Sequence, residues 1–557
     1  MKKFKILLLA ALGVMMMMIA CKKFDRRLTD PNSPAPETAD VDLYLNYIQL
    51  AFPEFYGTTG TEPGLSENGL ELTRMEYAAA RTYIDLYQAE SFDNAWREAY
   101  QNIFKNANAL ISVAQRSNRH LHIGIARMLK AYTAATLVDF FGDVPYSEAN
   151  LGIENTVPKA DPGKQVYDSA FALLDSAIAS FNRVVDGTPL PTNDLFYGGD
   201  VGNWRRAAKT LKLKLYNQIR LVDNTVQAKI NELLAEGELI TTDAQAFVFK
   251  HGSKAINPVS RHKKYGSYYV SSGANDYIGN HFMYVVYEEK GLGLDPRWRY
   301  YFYRQIGNIT LVDIAILECL NSPPPAHYSA NVPFCYANSA GFYGRDHGND
   351  RGIPPDGFLR TVWGVYPVGG RFDNDDRVRI TGSDDGAQGQ GILPVWQPAF
   401  TEFVKAEAAL TLGTTGDPKA LLESGVRKSI ATVVAFPATV GITVPASRVP
   451  TVAAIQAYVD KVLQLYDAAA TNSDKLNVIM KEYYIALWGN GIESYNNYRR
   501  TGMPRNMQPN LNPTPGPFLR SMPYPGTYAN RNSNITQKTT TNVKVFWDNN
   551  PDDIYVN

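Results

Sequence analysis

"ARMLKAYTAATLVDFFGDVPYSEA" (126–149) is the stretch that decides how this chain folds. Its apolar residues recur every three or four positions up to Phe141, which is the period of an amphipathic helix. Gly142 follows at once, and glycine adopts the left-handed conformation that ends a helix at little cost. Pro145 then prevents the helix from starting again. The stretch therefore predicts a long helix that ends in a tight turn.

The helical period continues on both sides of this stretch. Trp96, Tyr132 and Trp488 fall at core positions of their helices, which predicts scaffold roles for them. Further segments with this period cover 93–115, 163–181, 203–223, 398–434, 450–468 and 473–490. Paired helices with short turns predict a mostly α fold of tetratricopeptide-like helix pairs, although the strict consensus of that repeat is absent.

Two segments lack the helical period. Residues 240–397 are rich in Gly, Pro, Asn, Asp and aromatic residues, with a helix predicted only around 274–290. A long irregular segment in a folded protein is usually a functional or binding loop. Residues 503–557 are rich in Pro and Asn and are predicted to run extended, wrapped on the body or partly mobile.

The N-terminus has the pattern of a bacterial export signal. Basic residues precede an apolar run over 6–20, which is too short for a membrane span. "MIAC" (18–21) resembles a lipobox, in which Cys21 would be lipidated. The charged, Pro-containing stretch 22–40 then reads as a tether between the lipid and the fold. An ordinary signal peptide with a chance cysteine and a signal anchor remain as alternatives.

Composition restricts the class of function. The chain has 557 residues, with 55 Lys+Arg and 55 Asp+Glu, and this charge balance argues against a nucleic-acid binder. Besides Cys21 there are two cysteines, Cys319 and Cys335. They would pair in an oxidising compartment, and two unpaired thiols are an equal alternative.

The sequence offers no catalytic residue. It contains no HExxH, GxSxG or Walker A motif, and no GxGxxG follows a strand. One acidic set in Gly-containing loops suits calcium, whose ligands are hard oxygens, although the same residues also cap turns through their own backbone. This low-specificity set is Asp346, Asn349, Asp350, Asp356, Asp373, Asp375 and Asp376. No cofactor is required by any motif.

Sugar recognition gives another set of candidates. Sugars present apolar faces that stack on aromatic rings, and hydroxyls that need polar side chains. Loop segments rich in both predict as platforms Phe55, Tyr56, Tyr268, Tyr269, Tyr277, Tyr343, Trp363 and Tyr366. The predicted polar partners are Asn275, Asp276, Arg345 and Asp346. Alternatively, most of these rings fill gaps beneath long loops.

Several blocks together resemble the SusD/RagB family of nutrient-binding outer-membrane lipoproteins. The helix that ends in "GDVPY" (142–146) is similar to that family's signature. Other similar blocks are "YDSAFALLDSAIASF" (167–181), "NWRRAAKTLKLKLYNQIR" (203–220), "GLDPRWRYYF" (293–302), "FTEFVKAEAAL" (400–410), "YYIALWGNGIESYNNYRRTGMP" (483–504) and "LRSMPYPGTYANRN" (519–532). The resemblance covers about 40–545, and none of its motifs specifies a ligand.

The resemblance implies an organisation for the chain. A signal peptide over 1–20 and a lipidated Cys21 with a tether to residue 40 precede one SusD-like domain over 41–557. Within that domain a helical scaffold covers about 41–235 and 398–500. It presents the loop-rich insert at about 240–397 and carries the extended tail at 503–557. Arg499 and Arg500 are predicted to tie the last long helix to neighbouring carboxylates.

The resemblance also implies a function without catalysis. Such a lipoprotein is anchored in the outer membrane, exposed at the cell surface, and acts as the lid of a SusC-like TonB-dependent barrel. It captures an oligosaccharide and delivers it for import. A peptide-binding lid of the same type of importer is one alternative. A lipid-anchored glycan hydrolase and a structural subunit with little ligand affinity are others.

Overall fold

The computed structural model describes residues 40–57, 64–307, 318–336, 340–352 and 354–557. The predicted signal peptide, Cys21 and nearly all of the tether lie outside the described residues. Among the helices that are described, none combines the length and apolar character needed to cross a bilayer.

The N-terminal part is built from helices, as predicted. Their bounds are α1 Val41–Tyr56, α2 Leu65–Leu72, α3 Tyr83–Leu86, α4 Asp93–Arg97, α5 Lys105–Ala114, α6 His120–Phe141, α7 Gly163–Phe181, α8 Val201–Gln218 and α9 Val226–Glu236. A π-helical segment, Glu98–Phe104, joins α4 to α5. Consecutive helices pack in pairs, with α6 on α7 and α7 on α8. The helix predicted over 203–223 ends five residues earlier in the structure, where α8 covers Val201–Gln218.

The "GDVPY" turn joins α6 to α7. Gly142 has a φ of 79°, and its N–H donates to the Val138 carbonyl, which confirms the predicted glycine cap. The Asp143 carboxylate accepts a 2.8 Å hydrogen bond from the Gly163 N–H at the start of α7. The Tyr100 hydroxyl donates to the Pro145 carbonyl at 2.7 Å. The turn therefore holds two neighbouring helices at a defined spacing.

The middle of the chain is loop-rich, also as predicted. Its elements are β1 Phe247–Lys250, α10 Lys263–Tyr268, α11 Asn280–Tyr287, α12 Trp298–Tyr301, β2 Phe302–Tyr303, β3 Val362–Trp363 and β4 Ile392–Trp396. Strands β1 and β4 pair antiparallel with Phe247 opposite Trp396, and β2 and β3 pair antiparallel with Phe302 opposite Trp363. Helix α11 lies within the predicted 274–290 window.

Helices return in the C-terminal part. They are α13 Pro398–Leu412, α14 Pro418–Thr439, α15 Val452–Ala468, α16 Asn472–Ala486, α17 Gly491–Thr501 and α18 Gly526–Ala529. The helical pattern over 398–434 belongs to two helices. Gly413 ends α13 with a φ of 68°, and the Asp417 side chain caps the start of α14. Left-handed glycine and an Asp N-cap are a standard stop and start for helices.

Short 3₁₀ turns complete the described structure. They are Ala89–Phe92, Gln115–Ser117, Gly152–Glu154, Asp243–Gln245, Glu318–Asn321, Ala446–Arg448 and Asp552–Ile554. The tail after α17 is irregular apart from α18, and it is wrapped on the body. Phe518, Leu519, Met522 and Trp547 are buried in the core. Buried Arg520 joins two parts of the tail through a 2.7 Å bond from its Nε to Asp548.

The predicted scaffold residues lie in the core. Trp96, Tyr132 and Trp488 are buried, and the Tyr132 hydroxyl donates to Glu493 at 3.0 Å. Arg500 ties α17 to a carboxylate, that of Glu407 on α13. Arg499 does not.

Arg499 instead binds backbone and amide oxygens. Its guanidinium donates to the Arg520 carbonyl and to the Asn496 side chain, both at 2.7 Å. It also lies over the rings of Tyr495 and Trp547, at 3.8 and 4.8 Å from their centroids. Cation–π contact and hydrogen bonds to oxygens replace the predicted ion pair.

Candidate functional site

The loop-rich middle and the tail together enclose a cavity of about 510 Å³. Its walls come from segments far apart in the chain, which meet beside the start of α11. The lining residues are Arg81, Tyr277, Asn280, Cys319, Ser322, Pro323, Pro325, Phe334, Tyr343, Gly344, Arg345, Asp346, Gly348, Asn349, Asp350, Arg351, Pro354, Asp356, Leu511, Asn512 and Pro513. This volume is within the range of small-molecule and oligosaccharide sites.

Two tyrosines form a rigid part of the lining. The hydroxyls of Tyr277 and Tyr343 donate to the Asp356 carboxylate at 2.7 and 2.9 Å. Asp356 also accepts a 2.7 Å bond from Arg360 Nε. The ring of Tyr77 packs edge-on against Tyr277, with 5.1 Å between centroids. Burial raises the pKa of both lining tyrosines, so they remain neutral hydroxyls at physiological pH.

Arg345 is a buried basic residue of the cavity lining, which also includes Arg81 and Arg351. Its backbone is fixed by hydrogen bonds at the start of α11, where the Asn280 N–H donates to the Arg345 carbonyl at 2.9 Å and the Arg345 N–H donates to the Ile278 carbonyl at 3.2 Å. The residue is 8% exposed. Its guanidinium lies over Tyr277 and Tyr77, at 4.9 and 5.4 Å from the ring centroids.

Asp346, the next residue, points into a cage of donors. Its carboxylate accepts hydrogen bonds from the Asn280 amide at 2.9 Å, the Gln508 amide at 2.6 Å and the Cys335 N–H at 3.0 Å. Burial raises the pKa of Asp346, and these donors offset only part of the rise. The residue therefore organises the wall of the cavity through its hydrogen bonds.

The cavity has a charged rim and a covalently closed wall. Exposed Arg81 pairs with Asp350 at 2.6 Å. Cys319 and Cys335 form a disulfide, which decides between the two alternatives that the sequence leaves open. Cys319 lines the cavity, and the Cys335 N–H donates to Asp346, which also lines it. The disulfide therefore links two parts of the cavity wall covalently.

Most of the predicted ring platforms are core residues. Phe55, Tyr56, Tyr268, Tyr269, Trp363 and Tyr366 are at most 2% exposed. The Trp363 ring stacks on Trp488 with 3.7 Å between centroids, and its indole N–H donates to Glu76 at 3.0 Å. Trp363 also borders a second cavity of about 360 Å³. Tyr277 and Tyr343 are equally buried, at 1% and 0% exposed, and they are kept for this site because, unlike those six residues, they line its cavity.

The predicted polar partners divide in the same way. Arg345 and Asp346 line the cavity. Asn275 is exposed and Asp276 is half-buried, and neither belongs to the lining. The Asp276 carboxylate instead binds Lys264 Nζ at 2.8 Å.

The predicted calcium ligands do not form one cage. Asp373 accepts from Arg304 Nε at 2.7 Å, and Asp375 pairs with Arg299 at 3.0 Å. Asp376 accepts from the Tyr303 hydroxyl at 2.7 Å. Asp346, Asp350 and Asp356 have the partners described above, and Asn349 lies at the cavity. Arginine side chains and a tyrosine hydroxyl thus bind carboxylates that a cation would otherwise bind.

Three other acids do converge in the described part of the chain. Glu67, Glu76 and Asp276 place carboxylate oxygens within 4.8 Å of one another. The Lys264 ammonium lies among them, 2.7 Å from Glu67 and 2.8 Å from each of the others. A protein cation therefore occupies the place that a metal ion would take.

Sequence reasoning missed several lining residues. Arg81, Asn280, Phe334 and Asn512 carry no local signal, since each is one polar or aromatic residue among many. The Asn512 amide donates to the Arg81 carbonyl at 3.1 Å across 431 positions of sequence. Tertiary contacts such as this one, and the bond from Gln508 to Asp346, mark the tail as part of the site.

Family profiles match two large parts of the chain. Residues 55–308 match a family described as "Starch-binding associating with outer membrane". Residues 391–550 match one described as "Susd and RagB outer membrane lipoprotein". A comparison with curated proteins finds no match.

Solved structures share the fold. A SusD/RagB family protein from Bacteroides thetaiotaomicron superposes with a TM-score of 0.66 at 19% identity, covering 92% of this chain and 100% of that one. A protein described as chitin-binding gives 0.65 at 20% identity, with 92% and 100% covered. A chitin-binding SusD homologue from Flavobacterium johnsoniae gives 0.59 at 19% identity, again with 92% and 100% covered.

Proposed function

The chain belongs to the SusD/RagB family of outer-membrane lipoproteins, which are nutrient-binding proteins and not enzymes, and we propose that it captures an oligosaccharide in the cavity at Tyr277 and Arg345. The observation that carries the proposal is the make-up of this cavity. It combines a guanidinium and amide side chains with the half-buried ring of Phe334 and two almost fully buried tyrosines, Tyr277 and Tyr343. Sugars need this combination, because they present apolar C–H faces together with hydroxyls.

We propose further that the protein delivers its ligand as the lid of a SusC-like TonB-dependent transporter in the outer membrane. A lipid on Cys21 and the tether over 22–40 would hold it at the cell surface beside that barrel. The Cys319–Cys335 disulfide supports a place outside the cytoplasm, since disulfides persist in oxidising compartments.

Calorimetric titration of a Cys21→Ser protein tests the ligand class. The panel contains α-glucan, chitin and acidic oligosaccharides, and a mixture of peptides. We expect at least one glycan to bind, and Asn349→Ala and Asn512→Ala, which remove amides from the cavity lining, to weaken it. Binding of peptides alone would replace this proposal with a peptide-import lid. Release of shortened products from any glycan would favour a hydrolase.

Membrane fractionation and co-purification test the lid. The wild-type protein should sediment with outer membranes and co-purify with a TonB-dependent barrel, and Cys21→Ser should leave the membrane fraction and fail to support uptake. Normal uptake by the Cys21→Ser strain would show that the anchor is dispensable. Recovery of the lipidated protein without any barrel would contradict the lid.

A further inference from the structure

We propose that the glycan captured in this cavity is acidic, and that Arg345 receives its carboxylate or sulfate group. This inference rests on the proposed function and adds the substrate class. It comes from the charge balance around Arg345 and from the hydrogen bonds that its guanidinium makes.

Each carboxylate of the lining already has its partners. Asp356 binds Arg360 and two tyrosine hydroxyls, Asp350 pairs with Arg81, and Asp346 is held by three donors. Among the described residues, no carboxylate oxygen forms an ion pair with Arg345 within 4.0 Å. Asp346 is the nearest acid in sequence, but its carboxylate oxygens bind Asn280, Gln508 and Cys335. It therefore stabilises the Arg345 charge only through a Coulomb interaction beyond 4.0 Å.

Two hydrogen bonds of the Arg345 guanidinium are long. Arg345 Nη2 lies 3.4 Å from the Asn349 side-chain oxygen and 3.4 Å from the Arg351 carbonyl. Good N–H···O bonds are about 2.9 Å, and a guanidinium has five N–H donors. A buried cation with weak bonds has a cost that a ligand anion would relieve.

The aromatic rings beside Arg345 position its guanidinium to bind an anion. Its contacts with the rings of Tyr77 and Tyr277, and a hydrogen bond between its guanidinium and the Tyr77 side chain, hold the guanidinium in place, and its five N–H donors exceed the bonds that it makes. A fixed planar fork is complementary to the two oxygens of a carboxylate or the oxygens of a sulfate ester. The charges of Arg81 and Arg360 nearby are balanced by Asp350 and Asp356, with which they pair.

A glycan is favoured over a peptide because charged and amide side chains are interspersed with small apolar ones along the lining. The apolar side chains are Leu511, Phe334 and four prolines, Pro323, Pro325, Pro354 and Pro513. The amides of Asn349 and Asn512 match hydroxyl groups, and the half-buried ring of Phe334 offers a surface for C–H faces.

Titrations of matched ligand pairs test the proposal. We would compare oligogalacturonides with their methyl esters, and sulfated galactan oligosaccharides with the desulfated forms. We expect one acidic member to bind at least tenfold more tightly than its neutral twin, and to weaken as salt is raised. The two pairs distinguish a carboxylate from a sulfate.

Variants locate the effect at Arg345. Arg345→Gln should reduce affinity for the acidic ligand at least tenfold and abolish its preference over the neutral twin. Arg345→Lys, which keeps the charge but not the fork, should lose an intermediate amount. Arg505→Gln is the control, because Arg505 lies outside the cavity in an exposed pair with Asp474. Near-ultraviolet circular dichroism would verify that each variant is folded.

The outcomes separate the two proposals. Tight binding of neutral glycans with no acidic preference would overturn the acidic inference and leave the proposed function intact. An acidic preference that survives Arg345→Gln would overturn the role of Arg345. Binding of acidic peptides but no glycan, or of nothing in the panel, would contradict the proposed function itself.

Discussion

Gly69 on α2 and Gly491 at the start of α17 meet backbone to backbone, although 422 positions separate them in the sequence. A Cβ built on Gly69 would lie 2.0 Å from the Gly491 carbonyl oxygen. A Cβ on Gly491 would lie 1.9 Å from the Ser66 carbonyl oxygen. The contact joins the N-terminal helices to the C-terminal helices.

Alanine at either glycine should therefore destabilise the protein. We expect Gly491→Ala to lower the free energy of unfolding by about 2–3 kcal/mol, because backbone cannot move aside as a side chain can. Chemical denaturation would measure the loss. Gly266→Ala is the control, since Gly266 lies exposed in α10 with no atom near its Cβ position, and it should gain about 0.5–1 kcal/mol. Equal effects at the two sites would contradict the close contact.

Glu407 holds two buried arginines, so its neutralisation should be costly. Arg500 Nε and Nη2 lie 2.8 and 2.6 Å from its two oxygens, and Arg220 Nη2 lies 3.0 Å from one. Burial acts to raise the pKa of Glu407, but Arg500 and Arg220 outweigh it and lower the pKa. Glu407→Gln leaves both guanidinium groups unpaired, with an expected loss of about 3–5 kcal/mol in denaturant unfolding.

Glu423→Gln provides the matched control for this change. Glu423 pairs with Arg427 at the surface, where ion pairs contribute about 0–1 kcal/mol. The Glu407 contribution is present above the ordinary Glu pKa and is lost as pH falls through its lowered value. A Glu407→Gln protein as stable as Glu423→Gln would show that the buried pair does not hold α13 to α17.

Glu76 should make stability depend on pH in the opposite direction. Burial raises the pKa of Glu76 to about 8, and the neighbouring Asp276 and Glu67 carboxylates add to the rise. The Lys264 ammonium offsets only part of it, because three carboxylates share it. The folded protein then binds a proton at Glu76 that the unfolded chain releases above about pH 4.5. The stabilisation is thus present at low pH and is lost as pH rises toward 8.

Glu76→Gln, which imitates the protonated acid, should flatten this dependence. The melting temperature would be recorded from pH 4.5 to 8.5 for wild type, Glu76→Gln and the exposed control Glu90→Gln. We expect the wild type and the control to lose stability across the range and Glu76→Gln to lose less. Parallel curves for all three proteins would show that Glu76 is ionised in the folded state.

Reduction of the Cys319–Cys335 disulfide should loosen one wall of the cavity. Closing a loop of about 15 residues stabilises a fold by roughly 3 kcal/mol in the chain-entropy account. We expect a reductant to accelerate proteolysis within 318–336 and to weaken glycan binding. The Cys319→Ser/Cys335→Ser protein should resemble the reduced wild type and ignore reductant. Unchanged proteolysis after reduction would mean that other contacts hold this wall.

Local features could be predicted well from sequence. Helix α7 begins and ends at the predicted residues, and Gly142 caps α6, because periodicity and left-handed glycine act within a few residues. The division of 398–434 also has a local sequence signal, namely Gly413 as a helix end and Asp417 as an N-cap before Pro418. The apolar pattern around these residues predicts one continuous helical segment instead.

The candidate site could be predicted only in part. Of the predicted residues, Tyr277, Tyr343, Arg345 and Asp346 line the cavity, and loops rich in aromatic and polar residues indicated them. The same criterion selected Trp363, which stacks on Trp488 across 125 positions. Composition cannot tell an exposed ring from a buried one, because burial depends on partners that are distant in sequence.

The sequence by itself determined the helical scaffold, the loop-rich middle and the family, since these follow from short-range pattern and from blocks of residues in order. The tertiary structure alone decided which loop residues face the cavity. It set Arg345 over the rings of Tyr77 and Tyr277, supplied Asn512 from the tail, and placed Lys264 among three acids. Such sites arise from packing and charge pairing between distant segments, whose energies depend on distance in space and not on position in the chain.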